Sequence, residues 1–126
     1  MRKAQVATRL LARREHCNPS GDVGGWFLMS EADVVGSILA TRLVCGRVVT
    51  RAVKTFEFIR PSYEGNILSF YTWIEKLGNT SVTIKVEIYA EDIIKKTEHH
   101  VATASIVYVS VDEDGKPKHI STVGTF

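Results

Sequence analysis

The sequence predicts an α+β domain in which one long buried helix is wrapped by an antiparallel sheet of about five strands. Three observations lead there. Apolar residues recur at helical spacing over residues 24–43, the mark of one continuous helix. From residue 47 onward the apolar period shortens to two, in segments rich in β-branched and aromatic residues, the mark of strands. Those segments are joined mostly by short turns, and short turns imply antiparallel neighbours.

In chain order, residues 4–12 (AQVATRLLA) read as a first strand, with Ala4, Val6 and Thr8 opposed to Gln5, Ala7 and Arg9. Residues 13–23 read as a loop, because Asn18-Pro19-Ser20-Gly21 puts four turn formers in a row. Asp22 follows, placed to cap or precede the helix. Along the helix, Trp26, Met29, Ala32, Val35 or Gly36, Leu39 and Leu43 keep the 3.6-residue period, and Gly46 is the expected stop. Arg42 and Arg47 suit the negative end of the helix dipole. Phe27, Leu28, Val34 and Ile38 extend the apolar surface nearly all round, so the helix is expected to be enclosed by other structure. At ~1.5 Å per residue it is roughly 28 Å long, enough to cross several strands.

The strands follow as residues 47–59, 67–76, 81–90 and 99–111, with turns at 63–66 and 77–80 and a charged loop at 91–98. Residues 81–90 alternate most cleanly, Val82, Ile84, Val86 and Ile88 against Thr83, Lys85, Glu87 and Tyr89. Asp114-Gly115 turns the chain, and residues 113–126 form a polar C-terminal tail.

At 126 residues the chain is one domain, 1–126, with an ordinary 44% hydrophobic and 24% charged composition. A net charge of +2 is too weak to argue for nucleic acid, and no run reaches the length of a membrane span. Cys17 and Cys45 are not at metal-ligand spacing and read as free thiols of a reducing, cytoplasmic compartment. Residues 1–14 carry five basic residues and no acidic one, the bias of a mitochondrial presequence. They lack serine, however, and the strand reading is preferred. His99-His100 lie next to each other on a strand and point to opposite faces, so no metal site is expected there. His16 reads as an ordinary loop histidine. No serine sits in a nucleophile-elbow motif. No cofactor is expected.

The functional expectation centres on the junction of loop and helix. Gly24-Gly25 stands before Trp26, with Asp22 and Asp33 on either side. A helix N-terminus offers unpaired N–H groups and partial positive charge, and glycine lets a ligand approach the backbone. From the residues alone, Asp33 is either a solvated carboxylate beside Glu31 or a functional one. Asp22 is either a plain helix cap or a second carboxylate, and the glycines are either a site or a packing turn.

The motifs Asn18-x-x-Gly21-Asp22-x-Gly24-Gly25-Trp26, Met29-Ser30-Glu31-Ala32-Asp33 with Gly36, Gly46-Arg47-Val48-Val49-Thr50, Phe58-Ile59-Arg60-Pro61 with Gly65, Thr80-Ser81-Val82, and Val111-Asp112 with Gly115-Lys116 occur in order over about residues 5–120. In this the chain resembles the hot-dog fold, and most of all the YciA-type acyl-CoA thioesterases. The resemblance implies hydrolysis of acyl-CoA to free acid and coenzyme A. It implies a homodimer with active sites at the interface, often assembled as a trimer of dimers. It also implies that Asp33 is the catalytic carboxylate, with Asp22 reaching the same site from the other subunit. The chain departs from the family by lacking an aromatic residue between Val23 and Gly24, and by carrying His16-Cys17 where Asp-Thr is usual.

Thioester hydrolysis needs an activated water or a nucleophile, and donors for the developing oxyanion. Gly24, Gly25 and Trp26 are placed to donate, and Asp33 to act as general base or nucleophile. Arg60, Lys116 and Lys118 are candidates for the coenzyme A phosphates. Asn18, Asn79, Thr80 and Ser81 are candidates for the rest of the substrate, with Val48 and Val49 lining the groove. A non-catalytic acyl-CoA-binding module is the alternative. A hot-dog hydratase ranks below both, since the helix offers no histidine to pair with the carboxylate.

Overall fold

The computed structural model describes residues 5–121 and 123–124; Ala4, expected in the first strand, lies outside them. The elements are β1 (Gln5–Leu11), a 3-10 turn (Arg14–His16), α1 (Gly25–Val44), β2 (Val48–Phe58), β3 (Ile67–Leu77), β4 (Ser81–Asp92) and β5 (Thr97–Ser110). The strands form one sheet in the order β1-β3-β4-β5-β2, every pairing antiparallel.

The expected alternation of β4 holds. Val82, Ile84, Val86 and Ile88 are buried beneath the helix, as are Phe70 of β3 and Ile106 and Tyr108 of β5. From the helix come Leu28, Ala32, Val35, Leu39, Ala40 and Leu43, one flank repeating every three or four residues. The other flank is apolar too, yet Trp26, Val34 and Ile38 are 60%, 49% and 53% exposed. One copy of the chain therefore encloses half of the helix rather than all of it.

Three local expectations are corrected. The helix begins after Gly24, which makes no side-chain cap; Asp22 is not the cap but bridges to Tyr63. Its C-terminal stop is Cys45 in the left-handed region (φ 56°), one residue before Gly46. The charged loop shrinks to residues 93–96, because Glu91 and Asp92 continue the ladder against Glu98 and Thr97.

The larger correction is topological. β2 and β3 follow each other in sequence but are not neighbours: β2 is an edge strand beyond β5, and β3 lies next to β1. Residues 59–66 cross the end of β5 and β4 to join them. Three inter-strand spacings of ~4.8 Å make roughly 14 Å, within the reach of eight extended residues at ~3.3 Å each. The crossing is tied down along its length. Ile59 N–H donates to Val101 O (2.7 Å), Val23 N–H to Ser62 O (2.8 Å), and Gly65 N–H to Ala12 O (2.8 Å). It thus passes beneath the start of α1. The C-terminal tail is also folded back: Lys118 N–H donates to Ser110 O, Ile120 N–H to Asn79 O and Gly124 N–H to Leu43 O.

Candidate active site

Asn18 closes the loop before the helix. Its Oδ1 accepts from Ser20 N–H (2.9 Å) and Asp22 N–H (3.2 Å), while its own N–H donates to Asp22 O (2.8 Å). Gly21 turns the chain at φ 92°, a conformation open to glycine at no steric cost. Between this loop, the start of α1 and the crossing segment lies a cleft of about 360 Å³. Asn18, Asp22, Gly25, Phe58, Arg60 and Ser62 are among its lining residues.

The glycines at the helix start are not equivalent. Gly24 N–H donates to His16 O at 2.8 Å, so it is not available to a ligand as the sequence suggested. Gly25 and Trp26 N–H have no acceptor among the described residues and point out of the positive end of a 20-residue helix. A Cβ on Gly25 would stand 3.1 Å from the ring of Phe58, a tight contact that this exposed ring would have to ease by a few tenths of an ångström. Trp26 contributes its N–H, while its indole is exposed and does not line the cleft. His16 stacks on Phe27 with ring centroids 4.0 Å apart, the packing role expected of a loop histidine.

Asp33 is half-buried and strongly anchored. Thr50 Oγ1 donates to its Oδ1 at 2.8 Å. The Tyr108 hydroxyl donates to its main-chain O at 2.8 Å and lies 3.2 Å from the same Oδ1. Oδ2 has no protein donor among the described residues. Burial first, then the facing Asp33 charge, push the Tyr108 phenol far above its ordinary value, so it stays a neutral donor. The approach depends on Gly36, where a Cβ would run into the Tyr108 hydroxyl. Asp33 is therefore not a freely solvated surface carboxylate. Thr50 and Tyr108 were not singled out from sequence as site residues. They are ladder partners on β2 and β5, a register that no local pattern encodes.

The structure does not bring Asp22 and Asp33 together in one copy. Asp22 lines the cleft and Asp33 does not; from Gly25 to Asp33 the helix advances about 12 Å. Nor does it gather the expected phosphate ligands. Arg60 follows the far end of β2, while Lys116 closes a turn on Asp112 beside the near end. An 11-residue strand separates those ends by roughly 30 Å. Near that second end lie Val48 (half-buried), Val49 (exposed) and the Asn79-Thr80-Ser81 hairpin. The hairpin's main chain holds the tail and Ser110. His99 binds Pro61 O, and His100 binds Thr103.

Residues 23–97 match the model of the thioesterase superfamily. The acyl-CoA thioester hydrolase YciA of Salmonella typhimurium is 34% identical over 125 residues, covering 97% of this chain and 94% of that protein. An aspartate-to-alanine mutant of a hexameric broad-specificity acyl-coenzyme A thioesterase superposes with a TM-score of 0.89 at 33% identity, covering 94% of this chain and 87% of that one. A hexameric thioesterase from Yersinia pestis superposes with a TM-score of 0.88 at 31% identity, covering 94% and 97%. The family match runs through α1, β2, β3 and β4 and takes in Asp33 and the cleft residues from Val23 to Ser62, and on that ground the chain belongs to the thioesterase superfamily.

Proposed function

We infer that this chain is an acyl-CoA thioesterase, releasing a free carboxylic acid and coenzyme A. The observation that carries the site assignment is Asp33: two donors hold one carboxylate oxygen and leave Oδ2 open. Oδ2 takes the proton of a water that attacks the thioester carbonyl carbon, or attacks that carbon itself to form a mixed anhydride that water then hydrolyses, releasing the acid and restoring the Asp33 carboxylate. Gly25 and Trp26 N–H receive the developing oxyanion. As the C–S bond breaks, the coenzyme A sulfur leaves with the electron pair and is protonated. Coenzyme A arrives with the substrate, and no other cofactor enters.

The site is completed by a second copy of the chain. β2 is an edge strand with Val53 and Phe58 40% and 55% exposed, beside the uncovered helix flank of Val34 and Ile38. An unpaired strand edge and an uncovered helix flank that both expose apolar side chains favour a partner. Antiparallel pairing of β2 with its copy sets the Phe58 end of one strand by the Val48 end of the other. The Asp22 and Arg60 cleft of one subunit then faces Asp33, Val49, Asn79, Thr80, Ser81 and Lys116 of the other. The hexameric relatives support a trimer of such dimers. Free Cys17 and Cys45 support a cytoplasmic location.

The test is release of coenzyme A thiol from short, medium and long acyl-CoAs by wild type and Asp33→Asn. Loss of about 10²–10⁴-fold in the mutant, the usual range for a positioned acid or base, at an unchanged melting temperature is expected. Release that survives the mutation moves catalysis to Asp22. Binding of acyl-CoA by the wild type without release makes the chain a binding module instead.

A further inference from the structure

We propose that Phe58 sets acyl selectivity: its ring is the wall that meets the acyl carbon next to the thioester and admits a straight chain ahead of an α-branched one. The proposal rests on the thioesterase reading and adds a specificity-determining residue to it. Phe58 lines the cleft at the start of α1 and is 55% exposed, so a ligand in the cleft reaches its ring. The ring stands over Gly25, where an added Cβ would lie 3.1 Å from Cζ and 3.3 Å from Cε1. Gly25 N–H has no acceptor among the described residues. A carbonyl oxygen bonded to it, at about 2.9 Å, brings the neighbouring carbons of the thioester to the same ring.

Of the two groups that flank the thioester carbonyl, the acyl group is apolar, while the coenzyme A arm carries amides and phosphates. The cleft offers a matching division. Phe58 and Ile59 stand exposed beside the nearly buried Leu28 and Val23, and Asp22 and Arg60 supply the polar part. The acyl carbons therefore take the side of Phe58. That side is held in place. Phe58 pairs with Ala102 of β5, and Ile59 N–H donates to Val101 O at 2.7 Å. Phe56, two residues back on the same face of β2, packs on the core, and its ring centroid lies 4.8 Å from that of Phe58. The Phe58 ring is thus open to the cleft and backed by the core. Such a wall sorts ligands by shape: a straight chain lies along it, whereas a methyl branch on the α-carbon is driven into it. The cleft holds about 360 Å³, near the small end of ligand sites, where a single methyl group weighs most.

The test measures kcat/KM for butyryl-CoA and isobutyryl-CoA, which contain the same atoms and differ by the branch, in wild type, Phe58→Leu and Phe58→Ala. The readout is the isobutyryl-to-butyryl ratio, which does not depend on how much of a variant is folded. One methylene in an apolar pocket is worth about 10- to 200-fold, so the ratio is expected to rise about tenfold or more in Phe58→Ala. Phe58→Leu is expected to fall between the two. Hydrolysis of both substrates at an unchanged ratio in Phe58→Ala overturns the proposal and leaves the thioesterase reading intact. A smaller assembly at an unchanged ratio overturns it as well, by assigning the ring to a subunit contact. If the wild type releases no thiol from either substrate, the thioesterase reading fails. The same ratio, taken from the dissociation constants of the two CoA thioesters, then decides for Phe58 if it rises in Phe58→Ala and against it if it does not.

Discussion

Gly36→Ala sets two physical effects of opposite sign against each other. In an exposed helix interior the change stabilises by about 0.8–1 kcal/mol, since alanine restricts the unfolded chain and favours the helix. At position 36 the new Cβ meets the Tyr108 hydroxyl, with ring atoms Cε2 and Cζ at 3.2 Å. Tyr108 is fully buried, so the ring cannot swing away into solvent, and overpacking of this kind costs about 1–3 kcal/mol. The displaced hydroxyl also gives up its bonds to Asp33 O and Oδ1, about 1 kcal/mol for the neutral acceptor and somewhat more for the charged one. The net is a loss of about 2.5–4.5 kcal/mol. For 126 residues the unfolding entropy is about 0.26 kcal/mol/K, so the melting temperature falls by roughly 10–17 °C. The assay is thermal unfolding at fixed protein concentration, because assembly makes the midpoint concentration-dependent, with hydrolysis measured well below the midpoint. Activity falls with stability, since Asp33 loses one of its two donors. A raised melting temperature with undiminished activity would refute the reasoning, as it would mean that Tyr108 is not pressed against Gly36.

Thr50→Val keeps the shape of the side chain but removes the donor to Asp33 Oδ1. kcat is expected to fall about tenfold or more, and Thr50→Ser to restore most of it; equal rates in Val and Ser variants would sink the positioning role. Tyr108 gives a pH prediction. Its folded phenol is pushed up by burial and by Asp33, whereas in the unfolded chain it ionises near pH ~10. Its contribution is therefore whole below pH ~10 and is lost above it, by up to ~1.4 kcal/mol per pH unit, because only the unfolded state gives up the proton. Urea midpoints between pH 9 and 11 should fall more steeply for the wild type than for Tyr108→Phe, and parallel curves would contradict this.

The sequence by itself determined the elements and much of the core. The 3.6-residue period of 24–43 became α1, and the alternation Val82, Ile84, Val86, Ile88 became a buried sheet face. Both are local consequences of a chain hiding apolar side chains at a fixed geometric period. The glycine junction and Asp33 were legible as candidates, because residue type and a helix start are local facts. Strand order was not legible. Short turns suggested β2 beside β3, but the edge position of β2 follows from how the whole sheet covers one flank of the helix. For the same reason the partners of Asp33 were hidden: Thr50 and Tyr108 lie 17 and 75 residues away and meet it only through the β2–β5 register. The fate of Gly24 N–H and the separation of Asp22 from Asp33 were likewise decided by tertiary structure. A hydrogen bond depends on angstrom-scale placement between distant segments, and residue period carries no such distance.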